Sequence, residues 1–320
     1  MGRSPVISWS GPLVVLAGVA LAAIVTACSP AGPESQSASE SSSGRRTSSV
    51  VATDPAPDNP FRTGRTLVIA HSGGDGLFPE NTMLAYERST QLGSDVIDVD
   101  VRLTADGVLV AIHDSNVGRT TNGTGAVKDF TFDEIQQLDA GYRWQHGEEF
   151  PYRGEGIVVP SVEAILDRFP TMLATLDLKD QRVELVEPVC ELLRRMDRVE
   201  SVYVGSDSGD QVRRFREVCP ELRTSGTDEE RQLMRAARDA GDMSFVTHQL
   251  VGQPRYLSDD GTKRITAEYL KFSHRMGIAV LTWVVDDPEQ LRELISLGVD
   301  GVYTRRPDVM IDLLTEMGLR

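Results

Sequence analysis

Apolar runs typical of strands alternate with helical patterns along the chain from about residue 66 onward. A parallel strand needs a long crossover to reach its neighbour, so this alternation predicts a parallel α/β fold. Roughly 255 residues are available to it, the usual size of a (β/α)₈ barrel. We therefore predict a single (β/α)₈ barrel. An open doubly wound sheet is the alternative, but no G-x-G-x-x-G follows the first strand.

The predicted strands share short length and apolar residues, and the predicted helices lie between them. The strands are Thr66–Ala70, Asp95–Arg102, Val108–His113, Met172–Leu178, Val199–Gly205, Glu221–Ser225, Phe245–Gln249, Ile278–Val285 and Gly298–Thr304. The helices are Thr82–Leu92, Ser161–Phe169, Glu184–Met196, Asp210–Val218, Asp228–Ala240, Ala267–Met276 and Pro288–Leu297. Thr82 and Ser161 are suitable N-caps for the first two helices, because a hydroxyl can accept from a free backbone N–H.

One connection is too short for a crossover. Only five residues separate Arg102 from Val108, so this segment is predicted to be a hairpin with its turn centred on Ala105 and Asp106. Residues paired across such a turn have numbers that sum to about 211, which places Asp98 opposite His113. Asp100 shares the face of Asp98, because side chains alternate along a strand. A register shift of one residue would turn His113 away.

The N-terminal segment has the pattern of an export signal. Leu13–Val25 is an apolar run of 13 residues, typical of a signal-peptide core and too short for a comfortable membrane span. It ends in Val25-Thr26-Ala27-Cys28, which resembles the bacterial lipoprotein box. We expect a signal peptide over residues 1–27 and lipidation of Cys28. The protein would then be anchored on the extracytoplasmic face of the cell membrane. A plain signal peptide or an uncleaved anchor is the alternative.

Residues 28–63 are predicted to be a tether, and residues 64–320 the folded domain. Ser29–Thr63 is rich in Ser, Pro, Gly and Thr and carries few large apolar side chains, so it has little to bury. The formal net charge of -15 argues against nucleic-acid binding and against general attraction to anionic lipid. Cys190 and Cys219 could pair in an exported protein, or remain two buried thiols.

Histidines and carboxylates cluster near the first strands. Two of the chain's 5 histidines and a close carboxylate pair lie at the ends of strand-like runs. The segments are Ala70-His71-Ser72-Gly73, Pro79-Glu80-Asn81-Thr82, Asp98-Val99-Asp100 and His113-Asp114. The carboxylates lie among apolar residues, where a charge needs a partner. Two histidines for proton transfer and two carboxylates for a hard cation make a metal-assisted phosphodiesterase site possible.

The order and spacing of these segments resemble the glycerophosphodiester phosphodiesterase family, and the resemblance extends from about Thr66 to Asp308. It continues through Arg119-Thr120-Thr121-Asn122-Gly123-Thr124-Gly125, Asp177-Leu178-Lys179, Leu281-Thr282-Trp283-Val284-Val285 and the closing segment from Gly298 to Pro307. The resemblance implies hydrolysis of a small-molecule glycerophosphodiester to an alcohol and sn-glycerol 3-phosphate. No protein partner is implied.

The resemblance also implies roles for individual residues. His71 and His113 would act as base and acid, and one divalent cation, Ca²⁺ or Mg²⁺, would bind Asp98, Asp100 and Asp177. Four further residues would contact or border the substrate. They are Lys179 at a phosphoryl oxygen, Trp283 as an apolar wall for glycerol, Glu80, which with Asn81 positions the first loop, and Arg119. The attacking group could be a neighbouring glycerol hydroxyl or water.

Three positions depart from the family pattern. Ser72 stands where the family has Arg, and Asp98 and Asp177 each stand for Glu. The loss of Arg removes a bidentate phosphate contact, which Arg119 or Arg305 could replace. Two alternative functions stay open. One is a lysophospholipase D or sphingomyelinase D-like activity on lysolipids, and the other is a non-catalytic lipoprotein that binds phosphodiesters or wall polymers.

Overall fold

The strands form an almost closed parallel barrel in the computed structural model, which describes residues 59–242, 244 and 251–320. The strands are β1 (Leu67–Ala70), β2 (Val96–Leu103), β3 (Leu109–Ala111), β4 (Leu173–Leu178), β5 (Val202–Ser206), β6 (Arg223–Thr224), β7 (Val251–Gly252), β8 (Ala279–Thr282) and β9 (Gly301–Thr304). Hydrogen bonds join them in the order β6-β5-β4-β2-β1-β9-β8-β7, and β3 pairs antiparallel with β2 alone. The predicted (β/α)₈ barrel with a hairpin insertion is confirmed.

Helices follow the strands as predicted. They are α1 (Met83–Leu92), α2 (Phe132–Ile135), α3 (Val162–Arg168), α4 (Val186–Arg195), α5 (Gly209–Val218), α6 (Asp228–Ala240), α7 (Ala267–Arg275), α8 (Pro288–Leu297) and α9 (Pro307–Glu316). Thr82 and Ser161 cap α1 and α3 by accepting from the backbone N–H of Ala85 and Ala164. Helices α2 and α9 were not predicted, although a proline at the first position of α9 favours a helix start. No helix within the described ranges is long and apolar enough to span a membrane.

Strands that are buried on both faces explain the continuous apolar runs in the sequence. All four residues of β1 are buried. The interior of the barrel contains Leu67, Ile69, Val96, Tyr203 and Tyr303. A second set of apolar residues packs between the strands and the helices outside them. The barrel therefore holds the carboxyl ends of its strands in fixed relative positions, and the candidate site lies there.

The folded domain begins earlier than predicted. Residues 59–63 were assigned to the tether, but Phe61 is fully buried in the barrel interior, with its ring 6.3 Å from that of Tyr203. Asn59 Nδ2 donates to the Gly277 carbonyl, and Arg62 Nη1 donates to the carbonyl of His274. Residues 59–62 thus pack on the barrel ahead of the predicted boundary at residue 64, and Asn59 and Arg62 are buried as well as Phe61. The expected signal peptide and Cys28 lie outside the described residues.

The hairpin forms, but its register differs from the prediction by one residue. Val101 pairs with Ala111 and Leu103 with Leu109, and β3 ends at Ala111. Asp98 is therefore not paired with His113. The cause is a turn that closes between Thr104 and Val108 and contains Gly107 at φ 83°. A three-residue loop that ends in a left-handed glycine shifts the pairing relative to a symmetrical two-residue turn.

Two further predictions concern the second half of the barrel. The predicted strand Phe245–Gln249 lies outside the described residues, and the strand that the structure describes there is β7. Cys190 and Cys219 form a disulfide across 29 residues of sequence, with their Cα atoms 6.2 Å apart. Both cysteines are buried. The bond joins α4 to the residue that ends α5, so the paired alternative is the one observed.

Candidate active site

The predicted catalytic residues converge at the carboxyl ends of the strands. His71 directly follows β1, Asp98 and Asp100 lie in β2, and Asp177 lies near the end of β4. The parallel register places Asp100 beside Asp177 and Asp98 beside Thr175. One cavity is lined by these groups together with His113 and Lys179. His113 lies two residues beyond the end of β3 and also borders the cavity.

Asp98 is buried and hydrogen-bonded on both oxygens. The Ser72 backbone N–H donates to Oδ2 at 2.9 Å, and Thr175 Oγ1 donates to Oδ1 at 2.6 Å. Burial raises the pKa of Asp98 to about 6, and the charge of Asp100 adds to that rise, while His71 and the two hydrogen bonds oppose it. The carboxylate is therefore fixed in place and short of positive charge.

Asp100 is held by the first loop. Its Oδ2 accepts from Ser72 Oγ at 2.7 Å and from Asn81 Nδ2 at 2.7 Å. Burial alone would raise the pKa of Asp100, but the charge of Lys179 and the hydrogen bonds from Asn81 and Ser72 lower it. Ser72 and Asn81 both adopt left-handed backbone conformations, with φ of 47° and 55°. Such conformations are costly outside glycine and are found where a site requires them.

Lys179 bridges two carboxylates. Its Nζ lies 2.6 Å from Asp177 Oδ2 and 3.2 Å from Asp100 Oδ1. Burial would lower the pKa of Lys179, but the charges of Asp100 and Asp177 raise it, so the ammonium keeps its proton. One ammonium offsets only part of the charge of Asp98, Asp100 and Asp177. The cluster keeps an excess of negative charge.

Each histidine is paired with a carboxylate. His71 Nδ1 lies 3.1 Å from Asp75 Oδ1, and His113 Nδ1 lies 2.8 Å from Asp114 Oδ1. Burial would lower the pKa of His71, but the bond to Asp75 and the negative charges of Asp98 and Asp100 raise it to about 9. With Nδ1 engaged in this way, Nε2 of each ring is the nitrogen left for chemistry in the cavity.

Arg119 and Glu80 bind each other. Arg119 Nη1 and Nη2 donate to the two Glu80 oxygens at 2.7 and 2.6 Å, and its Nε donates to Asp114 Oδ2 at 2.6 Å. Neither residue is among those that line the cavity. Arg119 instead braces Asp114, the partner of His113. Arg305 is likewise bound to a carboxylate, that of Asp286.

Ser72, at the position where the family has arginine, is bound to a carboxylate. Its side chain is 2% exposed and points into Asp100. The sequence therefore predicted the loss of a phosphate contact but not the hydroxyl donor that the substitution adds. Asp75 and Thr175 were also missed. Thr175 could have been found, since period-two alternation places it on the face of Asp177. No sequence pattern marks Asp75.

Trp283 lies at the rim of the cavity, directly after β8, and is 40% exposed. Its Nε1 donates to the Gln253 carbonyl at 2.8 Å, and the guanidinium carbon of Arg255 lies 5.2 Å from the centre of its ring. Trp283 therefore borders the cavity, and the Arg255 guanidinium lies over its ring.

The fold and the site define a (β/α)₈ barrel with a histidine and carboxylate centre at the carboxyl ends of its strands, where barrel enzymes place their chemistry. The chain belongs to the glycerophosphoryl diester phosphodiesterase family, whose sequence profile it matches over residues 71–309.

Three known proteins illustrate the similarity. A glycerophosphodiester phosphodiesterase of Caldanaerobacter subterraneus subsp. tengcongensis is 32% identical over 257 residues, which cover 79% of this chain and 100% of that protein. The crystal structure of a glycerophosphodiester phosphodiesterase from Agrobacterium tumefaciens is 27% identical, with a TM-score of 0.61 over 77% of this chain and 99% of that one. An Oleispira antarctica phosphodiesterase in complex with the product sn-glycerol-3-phosphate has the same fold at 20% identity, with a TM-score of 0.63 over 80% and 99%.

Proposed function

We propose that this chain hydrolyses glycerophosphodiesters to an alcohol and sn-glycerol 3-phosphate with the help of one divalent cation. The observation that carries the proposal is a single cavity that contains two carboxylate-paired histidines beside a cluster of three carboxylates. Family membership and the product complex of the Oleispira antarctica relative support the same reaction.

Three of the carboxylates that line the cavity supply the donor type that a hard cation takes. Asp98, Asp100 and Asp177 would hold it through oxygen, the donor that Ca²⁺ and Mg²⁺ prefer. Asp98 and Asp100 are both buried; burial raises the pKa of Asp98, and the charge of Asp100 adds to the rise, so a bound cation would stabilise the ionised carboxylates. When bound, the cation polarises a phosphoryl oxygen and lowers the pKa of a hydroxyl or water nearby.

The side chains of the protein supply the proton transfers and the binding. His71 and His113 each offer Nε2 to the cavity, one to accept a proton from the attacking hydroxyl and the other to donate one to the leaving oxygen. Asp75 and Asp114 fix the orientation of the two rings through Nδ1. Lys179 places a positive charge beside the carboxylates, where it neutralises a non-bridging phosphoryl oxygen. Trp283 forms a flat wall at the rim.

The reaction is tested by release of glycerol 3-phosphate from glycerophosphoglycerol by the full-length chain, with EDTA, Ca²⁺ or Mg²⁺. We expect metal-dependent release that His71→Ala and His113→Ala each abolish. His146→Ala is the matched control, because His146 is exposed and does not line the cavity. Hydrolysis of lysolipids alone, with release that rises with acyl-chain length, would contradict the proposal. Phosphorus NMR of the products would distinguish attack by a glycerol hydroxyl, which gives a cyclic phosphate, from attack by water.

We also propose that the protein is anchored on the extracytoplasmic face of the membrane through lipidated Cys28. The support is the tetrapeptide Val25-Thr26-Ala27-Cys28 at the end of the apolar run. Cys28→Ser should move the protein from the membrane fraction to the soluble fraction and abolish incorporation of labelled fatty acid. Unchanged fractionation of this variant would indicate an uncleaved anchor instead.

A further inference from the structure

A guanidinium rests on an indole at the rim of the catalytic cavity. Arg255 and Trp283 both line this cavity, and the Arg255 guanidinium carbon lies 5.2 Å from the centre of the Trp283 ring. The side chains are 58% and 40% exposed. A cation at this distance is attracted to the ring face by its quadrupole. The pair therefore forms one surface, cationic on its outer side.

The main chain beneath this pair is fastened to neighbouring strands. Trp283 Nε1 donates to the Gln253 carbonyl at 2.8 Å, and Thr282 Oγ1 donates to the Pro254 carbonyl at 3.0 Å. The Gln253 side chain donates to Tyr303 Oη at 2.6 Å. The residues that lead from β7 to Arg255 are thus tied to β8 and β9. Arg255 is held beside Trp283 by more than its own side chain.

Arg255 has donors left for a ligand. Arg119 and Arg305 are bound to carboxylates at 2.6–2.7 Å. Among the residues that the structure describes, the carboxylate paired with Arg255 is that of Asp259, at 3.9 Å, and that side chain is 97% exposed. Within the described residues, the Arg255 guanidinium makes no hydrogen bond. An exposed ion pair at this distance contributes little to stability and is readily exchanged for another partner.

We propose that Arg255 selects the alcohol half of the substrate. It favours glycerophosphodiesters whose alcohol carries hydroxyls or a negative charge over those with a quaternary ammonium. This inference rests on the proposed function. Asp98 and Asp100 lie deep in the cavity, at 6% and 3% exposure, so a phosphate bound near them leaves one half of the diester to reach the rim. The proposal assigns that place to the alcohol half, instead of the glycerol half that the family resemblance places against Trp283.

The selectivity follows from the chemistry of the pair. A quaternary ammonium binds best on a bare aromatic face, but Arg255 already covers one face of Trp283 and repels a second cation. Guanidinium N–H groups instead donate to hydroxyl, carboxylate or phosphate oxygens. A glycerol, inositol or glycerol-phosphate group therefore gains a contact where choline meets a like charge.

The test compares glycerophosphoglycerol with glycerophosphocholine as substrates of the full-length chain. The ratio of the two kcat/KM values is measured for the wild type, Arg255→Met and Arg255→Glu. We expect the wild type to prefer glycerophosphoglycerol. Arg255→Met should reduce that preference by about tenfold, the effect of a partly desolvated cation on an aromatic face, and Arg255→Glu should reverse it. Arg264→Met is the matched control, because Arg264 is an exposed arginine of the same cavity that stacks on no ring in the described part of the chain.

A binding measurement separates this inference from the proposed function. Calorimetric titration of both diesters into His71→Ala, with and without Arg255→Met, gives the affinity ratio without turnover. If neither diester is hydrolysed by the wild type, the proposed function fails, and the affinity ratio still tests Arg255. Equal ratios with and without Arg255→Met would overturn the inference. An equal shift of the kcat/KM ratio by Arg264→Met would also overturn it, since the effect would then come from the general field of the cavity.

Discussion

The disulfide between Cys190 and Cys219 should supply a measurable part of the stability of the barrel. Without the bond, the unfolded chain regains the freedom of a loop of 29 residues. In the chain-entropy description, closing such a loop is worth about 3.5 kcal/mol at 25 °C. The urea dependence of unfolding for a domain of this size is roughly 3 kcal/mol per molar. Loss of the cross-link should therefore lower the midpoint by about 1 M urea.

The assay compares oxidised protein with protein that has been unfolded, reduced and refolded in the presence of a phosphine reductant. Reduction keeps both sulfur atoms in place, so the difference reports the cross-link alone. The double variant Cys190→Ala/Cys219→Ala also loses the packing of two buried side chains and should be less stable still. All samples carry Cys28→Ser, which excludes other pairings. Equal urea midpoints for the oxidised and reduced forms would refute the reasoning.

Three further predictions concern residues whose contacts the structure defines. Arg119→Met should lower kcat by about 10- to 100-fold with little change in KM, because Arg119 braces the partner of His113; a raised KM at constant kcat would instead indicate direct contact with substrate. Ser72→Ala should lower the free energy of unfolding in EDTA by about 1–3 kcal/mol, because buried Asp100 loses a donor; an unchanged urea midpoint would contradict this. Phe61→Ala should cost about 3–5 kcal/mol on the same measurement, whereas a residue of a flexible tether would cost nothing.

The sequence was informative where a repeating pattern of apolar residues determines the structure. Alternation of strands and helices predicted the barrel, and hydroxyl caps placed the starts of α1 and α3. The predicted hairpin register was wrong because the register depends on one glycine. Gly107 adopts a left-handed conformation, which adds a residue to the turn. The predicted start of the domain missed Phe61, because composition does not show where an isolated aromatic side chain packs.

The sequence predicted which residues come together at the candidate site, but it did not predict the hydrogen bonds and ion pairs between them. The order of the motifs predicted that six residues would share one site, and the structure places all six around one cavity. They are His71, His113, Asp98, Asp100, Asp177 and Lys179. The partner of Arg119 could not be read from the sequence, because Glu80 is 39 residues away and meets it only in the folded chain. The same holds for Asp75, which contacts His71 through a loop that no periodicity describes.

The contacts of residues 59–62 show at which end of the barrel the N-terminal chain enters the domain. Asn59 and Arg62 bind Gly277 and the carbonyl of His274, which precede β8. The N-terminal chain thus joins the barrel at the amino ends of its strands, whereas the cavity opens at their carboxyl ends. In a protein tethered through its N-terminus, the entrance would face away from the point of attachment.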